Sequence, residues 1–548
     1  MTPLGPGTSG TIDPSRWHHG PAWITVGACA VAVVPAGLRW LRVAQREHYL
    51  PGSATRFAVR WWRIRPWNPP MLAVAVGAAA VSLWWPIAGV ATALVVAAGP
   101  VGLSLRGRTS ALAWTRRLRT LAVVWLALDV AAVVIGVAAG PACLIAVVAV
   151  VAVPLGVDLA CVLTAPLEHR LSRRFVDRAA ARLARVAPTV VAITGSYGKT
   201  STKGHVAHLV RPTRTVVATP ASFNNRAGLA RAVNEHLAEG TEVFVAEMGT
   251  YGPGEIADLC RWCPPDIAVI TAIGPVHLER FGSEDRIVEA KSEILVAAHD
   301  VVLPVDDPRL AELADRAQSQ GKRVHRCSVA DRAADVCVLR SDDGSRISVF
   351  AQGATVVEGV EVPTGVQPSN LACAVSVALA LGVDRSVVAS RLADLPSVDH
   401  RLQAARAPSG VTVLDDTYNA NPAGATEALA ALGAIAGPAG PAGPAPPDAP
   451  GAEPRRQVVV TPGMVELGRR QFDENQRLGS AIAGQADHLV VVGMTNRRAL
   501  RAGVARAAAS GIGVTEVRHR VEAVAWVRTH LQAGDVVLYE NDLPDHYP

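Results

Sequence analysis

Charge is scarce in this 548-residue chain: 18% of residues are Asp, Glu, Lys or Arg, against 50% hydrophobic. Aromatics make up only 5%, with 12 Trp among them. Mean hydropathy is +0.25. This composition excludes intrinsic disorder and argues against an ordinary soluble enzyme. Paired cysteine spacing is also missing. Of eight Cys, only Cys260 and Cys263 stand in a C-x-x-C, with no second pair to complete a zinc site. A disulfide-stapled secreted domain is excluded. Between residues 69 and 105 no side chain is ionisable. That run is too long for one bilayer span at about 1.5 Å per residue, and Trp84-Trp85-Pro86 breaks it in two.

What is present divides at about Thr164. Before it, residues 23–41, the two halves of 69–105, 121–139 and 141–162 read as five membrane spans, or four if one lies only at the interface. A signal peptide would be a single short stretch with a cleavage site, which this is not. Three arginine clusters flank the spans: Arg42, Arg46, Arg56, Arg60, Arg63 and Arg65; Arg106, Arg108, Arg116, Arg117 and Arg119; and Arg170, Arg173 and Arg174. With the N-terminus outside, all three fall on one side, which the positive-inside rule makes cytoplasmic. The net charge of +6 therefore belongs beside hydrophobic spans, not on a basic face for nucleic acid. Asp129 and Asp158 lie within the fourth and fifth spans. Each reads either as a contact to a polar or lipid-linked substrate or as a hydrogen-bonded packing residue.

After an Arg-rich amphipathic connector the pattern becomes α/β. A strand at 189–193 runs into Thr194-Gly195-Ser196-Tyr197-Gly198-Lys199-Thr200-Ser201-Thr202 and then a helix through Val210. Strand, glycine turn, Lys-Thr and helix form a phosphate loop, in which backbone N–H groups and a helix N-terminus cradle phosphate oxygens. Lys199 would meet the β and γ phosphates and the Thr200 hydroxyl a Mg²⁺ ion. Ile193 stands where the longer G-x-x-x-x-G-K-T pattern has its first glycine, so the loop is the shorter T-G-x-x-G-K-T. Further strands are expected at 215–218, 243–246, 267–270 and 301–303, in a mostly parallel sheet with the nucleotide outside the strand ends. Glu247 ends one strand, within reach of a phosphate-bound metal. His277 and Lys291 taken alone read as ordinary structural or surface residues.

Taken together these segments resemble the Mur ligase family, most closely its D-alanyl-D-alanine-adding branch. The resemblance rests on Thr194 to Thr200, Phe223-Asn224-Asn225, Ala246-Glu247-Met248-Gly249 and His277-Leu278-Glu279-Arg280-Phe281-Gly282-Ser283. It continues in His400-Arg401-Leu402, Asp415-Asp416-Thr417-Tyr418-Asn419-Ala420-Asn421-Pro422 and Gly463-Met464-Val465-Glu466-Leu467-Gly468. It implies that Glu247 and His277 hold magnesium and that Lys291 becomes carbamylated and joins them. It also implies that Asn370 and Arg401 contact the nucleotide. Asp415 or Asp416 would orient the ribose or the inter-domain loop, and Asn224 and Asn225 would line the acceptor side. Asn421-Pro422 reads equally well as a plain turn. Two departures stand out. Membrane spans replace the soluble domain that binds the UDP-sugar, and Tyr539-Glu540-Asn541-Asp542 stands in place of a Lys-Gly-Ser segment.

The expected architecture is a membrane α-helical domain at 1–163, an amphipathic connector at 164–188 and a central ATP-binding domain at 189–398. A C-terminal α/β domain of Mur ligase type follows at 399–548, with strands at 411–414, 458–460, 488–492, 517–519 and 536–539, a helix at 423–436 and a flexible Pro/Ala/Gly insertion at 437–454. The expected enzyme is an ATP- and Mg²⁺-dependent, ADP-forming amide ligase working through an acyl phosphate. It would sit in a bacterial plasma membrane with its catalytic domains cytoplasmic, next to membrane lipid. Its partners would be a lipid-linked or nucleotide-linked carboxylate acceptor and an amino acid or dipeptide amine donor. A poly-γ-glutamate-type or specialised-metabolite ligase, an inactive scaffold or regulator, and a membrane ATPase or transporter are the competing readings.

Overall fold

A computed structural model describes residues 20–105, 107, 111–221, 223–341, 344–396, 402–417, 420–436, 455–507, 511–543 and 546–548. The expected insertion at 437–454, and also Arg401, His400, Arg106 and Arg108, lie outside these described residues. The chain forms two compact units. One runs to Leu171 and takes in Leu543–Pro548; the other is Ser172–Asp542.

The first unit is helical: α1 (Gly20–Arg46), α2 (Ser53–Ile64), α3 (Asn68–Val81), α4 (Gly89–Ala98), α5 (Arg116–Ala139), α6 (Ala142–Val151) and the first part of α7 (Val153–Val186). By length and composition α1 and α5 can each cross a bilayer, and α6 with α7, bent by 78° at their junction, makes a third candidate. The run at 69–105 does break at Trp84-Trp85-Pro86, but its arms are shorter than expected, 14 residues in α3 and 10 in α4. Both fall below the roughly 20 residues of a full span. They pack as a hairpin along α1. Thr25 Oγ1 donates to Pro86 O at 2.7 Å, Thr92 Oγ1 to Ala75 O at 2.9 Å, and Arg42 Nη1 to Ser104 O at 2.6 Å. Thr25 and Arg42 are separated by about 26 Å of helix at 1.5 Å per residue.

Helix α2 is amphipathic. It buries Phe57, Ala58 and Trp61 and leaves Arg63 in solvent. Its first turn is capped from afar by Asp158, whose oxygens accept from Ala54 N at 3.1 Å, Thr55 N at 2.8 Å and Thr55 Oγ1 at 2.6 Å. Of the two readings of Asp158, the structure carries the hydrogen-bonded packing role. Asp129 is half-buried and has no hydrogen bond among the described residues. Residues 546–548 complete this unit. His546 Nε2 lies 3.0 Å from Glu47 Oε1, Trp61 Nε1 donates to His546 O at 2.8 Å, and Tyr547 packs edge-on against Phe57.

The second unit holds two sheets. The first contains β1 (Thr189–Thr194), β2 (Val216–Ala218), β3 (Val243–Glu247), β4 (Ile267–Ile270), β5 (Asp300–Pro304), β6 (Arg323–Ser328), β7 (Val336–Arg340), β8 (Arg346–Ala351) and β9 (Ala354–Glu361), in the order β2-β3-β1-β4-β5-β6-β7-β8-β9. Pairing is parallel through β7; β8 and β9 add an antiparallel edge that the sequence reading omits. Strands β3 and β4 are buried throughout, as a parallel sheet covered on both faces requires. The second sheet contains β10 (Gln403–Arg406), β11 (Thr412–Asp416), β12 (Gln457–Thr461), β13 (His488–Val492), β14 (Gly513–Val517) and β15 (Val536–Glu540), in the order β10-β11-β15-β12-β13-β14, with only β10 antiparallel. The strand expected at 517–519 is thus Gly513–Val517. It pairs in register with β13, and His519 already stands at the N-cap position of the next helix, Arg520–His530.

Candidate active site

Sheet register builds the site. In the first sheet the chain order reverses on either side of β1, the crevice where ligands bind in doubly wound folds. The phosphate loop leaves β1 at that point. Pairing of β1 with β3 sets Ile193 opposite Glu247, so the strand-end carboxylate emerges beside the loop. The loop is pinned from β4. Thr271 Oγ1 donates to Tyr197 O and, at 3.2 Å, to Thr194 O, and Ser196 N donates to Ala272 O at 2.8 Å. Ser196 Oγ bonds Gly274 O at 3.0 Å. Gly198 has φ +78, and a Cβ there would lie 2.0 Å from Asn370 Oδ1. The turn is therefore closed to any other residue, and Asn370, predicted to contact the nucleotide, stands against it.

From this loop the helix Lys199–Val210 begins. Lys199 Nζ folds back onto Gly195 O at 2.7 Å. Thr200 Oγ1 donates to Glu247 Oε2 at 3.0 Å. The same oxygen takes Lys203 Nζ at 2.9 Å, and Glu247 Oε1 takes Asn224 Nδ2 at 3.1 Å. Glu247 and Lys203 are both buried, so this ion pair is shielded from solvent. Sequence reasoning missed Lys203, although a signal was available. The chain has four lysines, and three of them are Lys199, Lys203 and Lys291. Where arginine serves as the general surface cation, a lysine is a choice of compact charge or reactive amine. Asn224 and Asn225 part company: the first joins Glu247, while Asn225 caps the helix Arg226–His236 through Gly228 N at 2.9 Å.

Lys291 lies in the last turn of the helix Glu284–Ser292 and is 5% exposed. Among the described residues no carboxylate pairs with it. Burial, and then the positive charge of Lys199, hold its amine well below the usual lysine range. His277 has φ +57 and donates from Nδ1 to Glu466 Oε2. Its pKa is lowered by burial, against the opposing pull of Glu466. Lys199 thus acts electrostatically on both Lys291 and His277, and Thr200 touches Glu247. Asp415 and Asp416 stand at the end of β11. Asp415 accepts from Thr417 Oγ1 at 2.6 Å, and Asp416 is buried opposite Glu540 of β15. Glu540 accepts from Thr461 Oγ1 at 2.5 Å; burial pushes its carboxyl up to about 7, opposed by Thr461 and reinforced by Asp416.

Residues 193–378 match the Mur ligase middle domain. The UDP-N-acetylmuramoyl-tripeptide--D-alanyl-D-alanine ligase of Mycobacterium tuberculosis is 34% identical over 377 residues, 66% of this chain and 71% of that protein. The namesake enzyme of Bacillus subtilis is 30% identical over 256 residues, covering 46% of this chain and 54% of its own. Among solved structures, the MurF ligase of Thermotoga maritima in complex with ADP aligns with a TM-score of 0.55 and 26% identity, over 68% of this chain and 80% of that one. Family-model match and identity over most of the relative agree: the chain belongs to the Mur ligase family of ATP-dependent, ADP-forming carbon–nitrogen ligases.

Proposed function

We propose that this ligase joins an amine donor to a carboxylate acceptor held at a membrane surface, through an acyl phosphate. The observation that carries the reading is the glycine turn at the end of β1, where Thr200 bonds Glu247 and Lys199 acts electrostatically on His277 and Lys291, in a chain whose first unit is an apolar helical bundle. A nucleotide would be cradled by the glycine turn, which Thr271 and Asn370 back at Gly195 and Gly198. Magnesium would be held by Thr200 Oγ1 and Glu247, with His277 and a modified Lys291 as further ligands; among the described residues no three His, Cys, Asp or Glu side chains form a metal-holding group by themselves. The metal supplies charge stabilisation for phosphoryl transfer. Lys199 offsets charge on the phosphoryl oxygens. Lys291 is a buried amine with a depressed pKa, the form that reacts with carbon dioxide. As a carbamate it becomes an anionic oxygen ligand, and the positive charge of Lys199 that disfavours the ammonium form favours this anion.

Bilayer residence is supported by where the tryptophans lie. Trp23, Trp84 and Trp85 are exposed near the Thr25–Pro86 contact, and Trp67 and Trp114 are exposed near the opposite end of α1. Two aromatic levels with exposed Val and Leu between them match the interfaces and core of a membrane. Five spans, or three spans with a re-entrant α3–α4 hairpin, place the same arginine clusters on the cytoplasmic side. Cysteine labelling of intact cells, with native cysteines controlled, separates these two. A label at Trp84 reachable from outside means five spans, and an unreachable one means the hairpin. Strong outside labelling near Arg56 or Arg117 overturns both.

The relatives act on a UDP-muramoyl tripeptide and D-alanyl-D-alanine, as their names state. Here we favour a lipid-linked acceptor of the cell-wall type, because an apolar bundle stands where those enzymes carry a UDP-sugar domain. The test is amine-dependent ADP release, with product mass spectrometry, on matched nucleotide-linked and lipid-linked acceptors. Turnover of the lipid-linked acceptor alone is expected. Turnover of the nucleotide-linked acceptor alone overturns the acceptor assignment, and ADP release without any amide product overturns the ligase reading.

A further inference from the structure

The loop after β12 reaches out of the second sheet and meets the loop after β4 of the first. Glu466 is the contact. Its Oε2 accepts from His277 Nδ1, its Oε1 from Arg280 Nη2 at 3.2 Å, and its backbone oxygen from Glu279 N at 3.1 Å. Both residues at the centre of this contact are bent out of ordinary backbone. His277 has φ +57 and Glu466 φ +64, a left-handed region that side-chain-bearing residues hold only when their surroundings fix them there. The approach is close on the next turn as well: a Cβ on Gly468 would stand 3.3 Å from Glu279 N. Tyr251 closes the edge of the imidazole, with ring centroids 5.0 Å apart.

We infer that Glu466 is a positioning residue that sets the tautomer and orientation of His277, so that the metal site is complete only when the loops of the two sheets are together. A carboxylate can only accept, so the bond places the imidazole proton on Nδ1 and leaves the Nε2 lone pair for a cation. Arg280 holds the other carboxylate oxygen and stops the carboxylate from rotating off the ring. The residue that orients a ligand of the first sheet is thus supplied by the second. Divalent-ion affinity and the approach of the two sheets then become one coupled equilibrium, each favouring the other by the same factor. The inference rests on the proposed role of His277 as a metal ligand.

The test uses the full chain in detergent with a methylene-bridged ATP analogue, which has no bridging nitrogen, and Mn²⁺ as the probe. Mn²⁺ affinity is measured by electron paramagnetic resonance, and imidazole ligation by the ¹⁴N modulation of the spin echo. Wild type is expected to show ¹⁴N coupling that H277A abolishes. E466A is expected to bind the histidine-held ion about 10- to 100-fold more weakly, with reduced ¹⁴N modulation. E466Q keeps an acceptor oxygen and nearly the same volume, so it is expected to fall between; it also serves if E466A fails to fold. Wild-type affinity and wild-type ¹⁴N coupling in E466Q and in any folded E466A overturn the role of Glu466 alone. Absence of ¹⁴N coupling in wild type, with H277A binding Mn²⁺ unchanged, overturns the assignment of His277 and this inference with it.

Discussion

Lys203 Nζ lies 2.9 Å from Glu247 Oε2, and neither side chain is more than 6% exposed. Thr200 shares that oxygen, so the lysine and the predicted metal ligand form one buried charge cluster. K203M strands Glu247 as an unpaired buried carboxylate and is expected to cost about 3–5 kcal/mol. The double variant K203M/E247Q removes both charges and is expected to regain most of that stability while remaining inactive. Denaturant midpoints and ADP release measure the two effects. A double variant no more stable than K203M rejects the pairing as the source of the loss.

A Cβ on Gly198, in the proposed nucleotide cradle, would stand 2.0 Å from Asn370 Oδ1. G198A is expected to abolish binding of a fluorescent ATP analogue, because the new Cβ meets Asn370 and the left-handed turn is lost together. G198A/N370A removes the collision but not the backbone strain, and so is expected to recover little. Full recovery in the double variant assigns the whole effect to the side-chain clash.

For Lys291 the expectation concerns carbon dioxide. Activity in carbonate-depleted buffer is expected to rise on adding bicarbonate, and ¹³C-bicarbonate should give a carbamate resonance that K291A lacks. The unmodified amine also has a pH signature. Its folded pKa is depressed, so between that value and about 10.4 the unfolded chain binds more protons. Carbonate-depleted protein therefore gains stability as pH rises toward 10.4, and K291M removes that slope.

Glu540 predicts a slope of opposite sign. Its folded pKa of about 7 lies above an unfolded value near 4.3. The native state holds the extra proton in that window, so stability is greatest below about 4.3 and is lost as pH rises through 7. E540Q is expected to flatten the decline. An unchanged pH–stability curve in E540Q locates the titration elsewhere.

In the first unit, D158A leaves the backbone amides of Ala54 and Thr55 without their acceptor. A loss of about 1–2 kcal/mol is expected, seen as a lower thermal midpoint in detergent. ADP release by the surviving folded fraction is expected to stay at the wild-type level. A large drop in turnover per folded molecule would return Asp158 to the substrate-contact reading.

Much of this was legible in the sequence where chemistry forces a local pattern. The glycine turn, the Lys-Thr pair and the carboxylate at a strand end each follow from contacts with phosphate or metal. The elements at 189–194, 243–247 and 267–270 read well because strands buried on both faces must be continuously apolar. Contacts made across long separations were not legible. Glu466 lies 189 positions from His277, and Asp158 caps a helix more than 100 positions earlier. Strands β6 and β9 mix polar and apolar residues with no clean alternation, which hid them, whereas β7 and β8 carry an apolar run and an alternation that were passed over. Lys203 was overlooked because its partner, Glu247, lies 44 positions along the chain.

The placement of residues 546–548 has a consequence in time. His546 pairs with Glu47 across 499 positions of chain. At about 5–20 residues per second of synthesis, Glu47, Phe57 and Trp61 wait on the order of 25–100 s for the segment that covers them. The helical unit is therefore finished after the ligase sheets have been made, although its own helices emerge first. A ribosome that stalls within the ligase leaves a helical unit with an uncovered charge and open aromatic rings, so the two units mature as one product and not in turn.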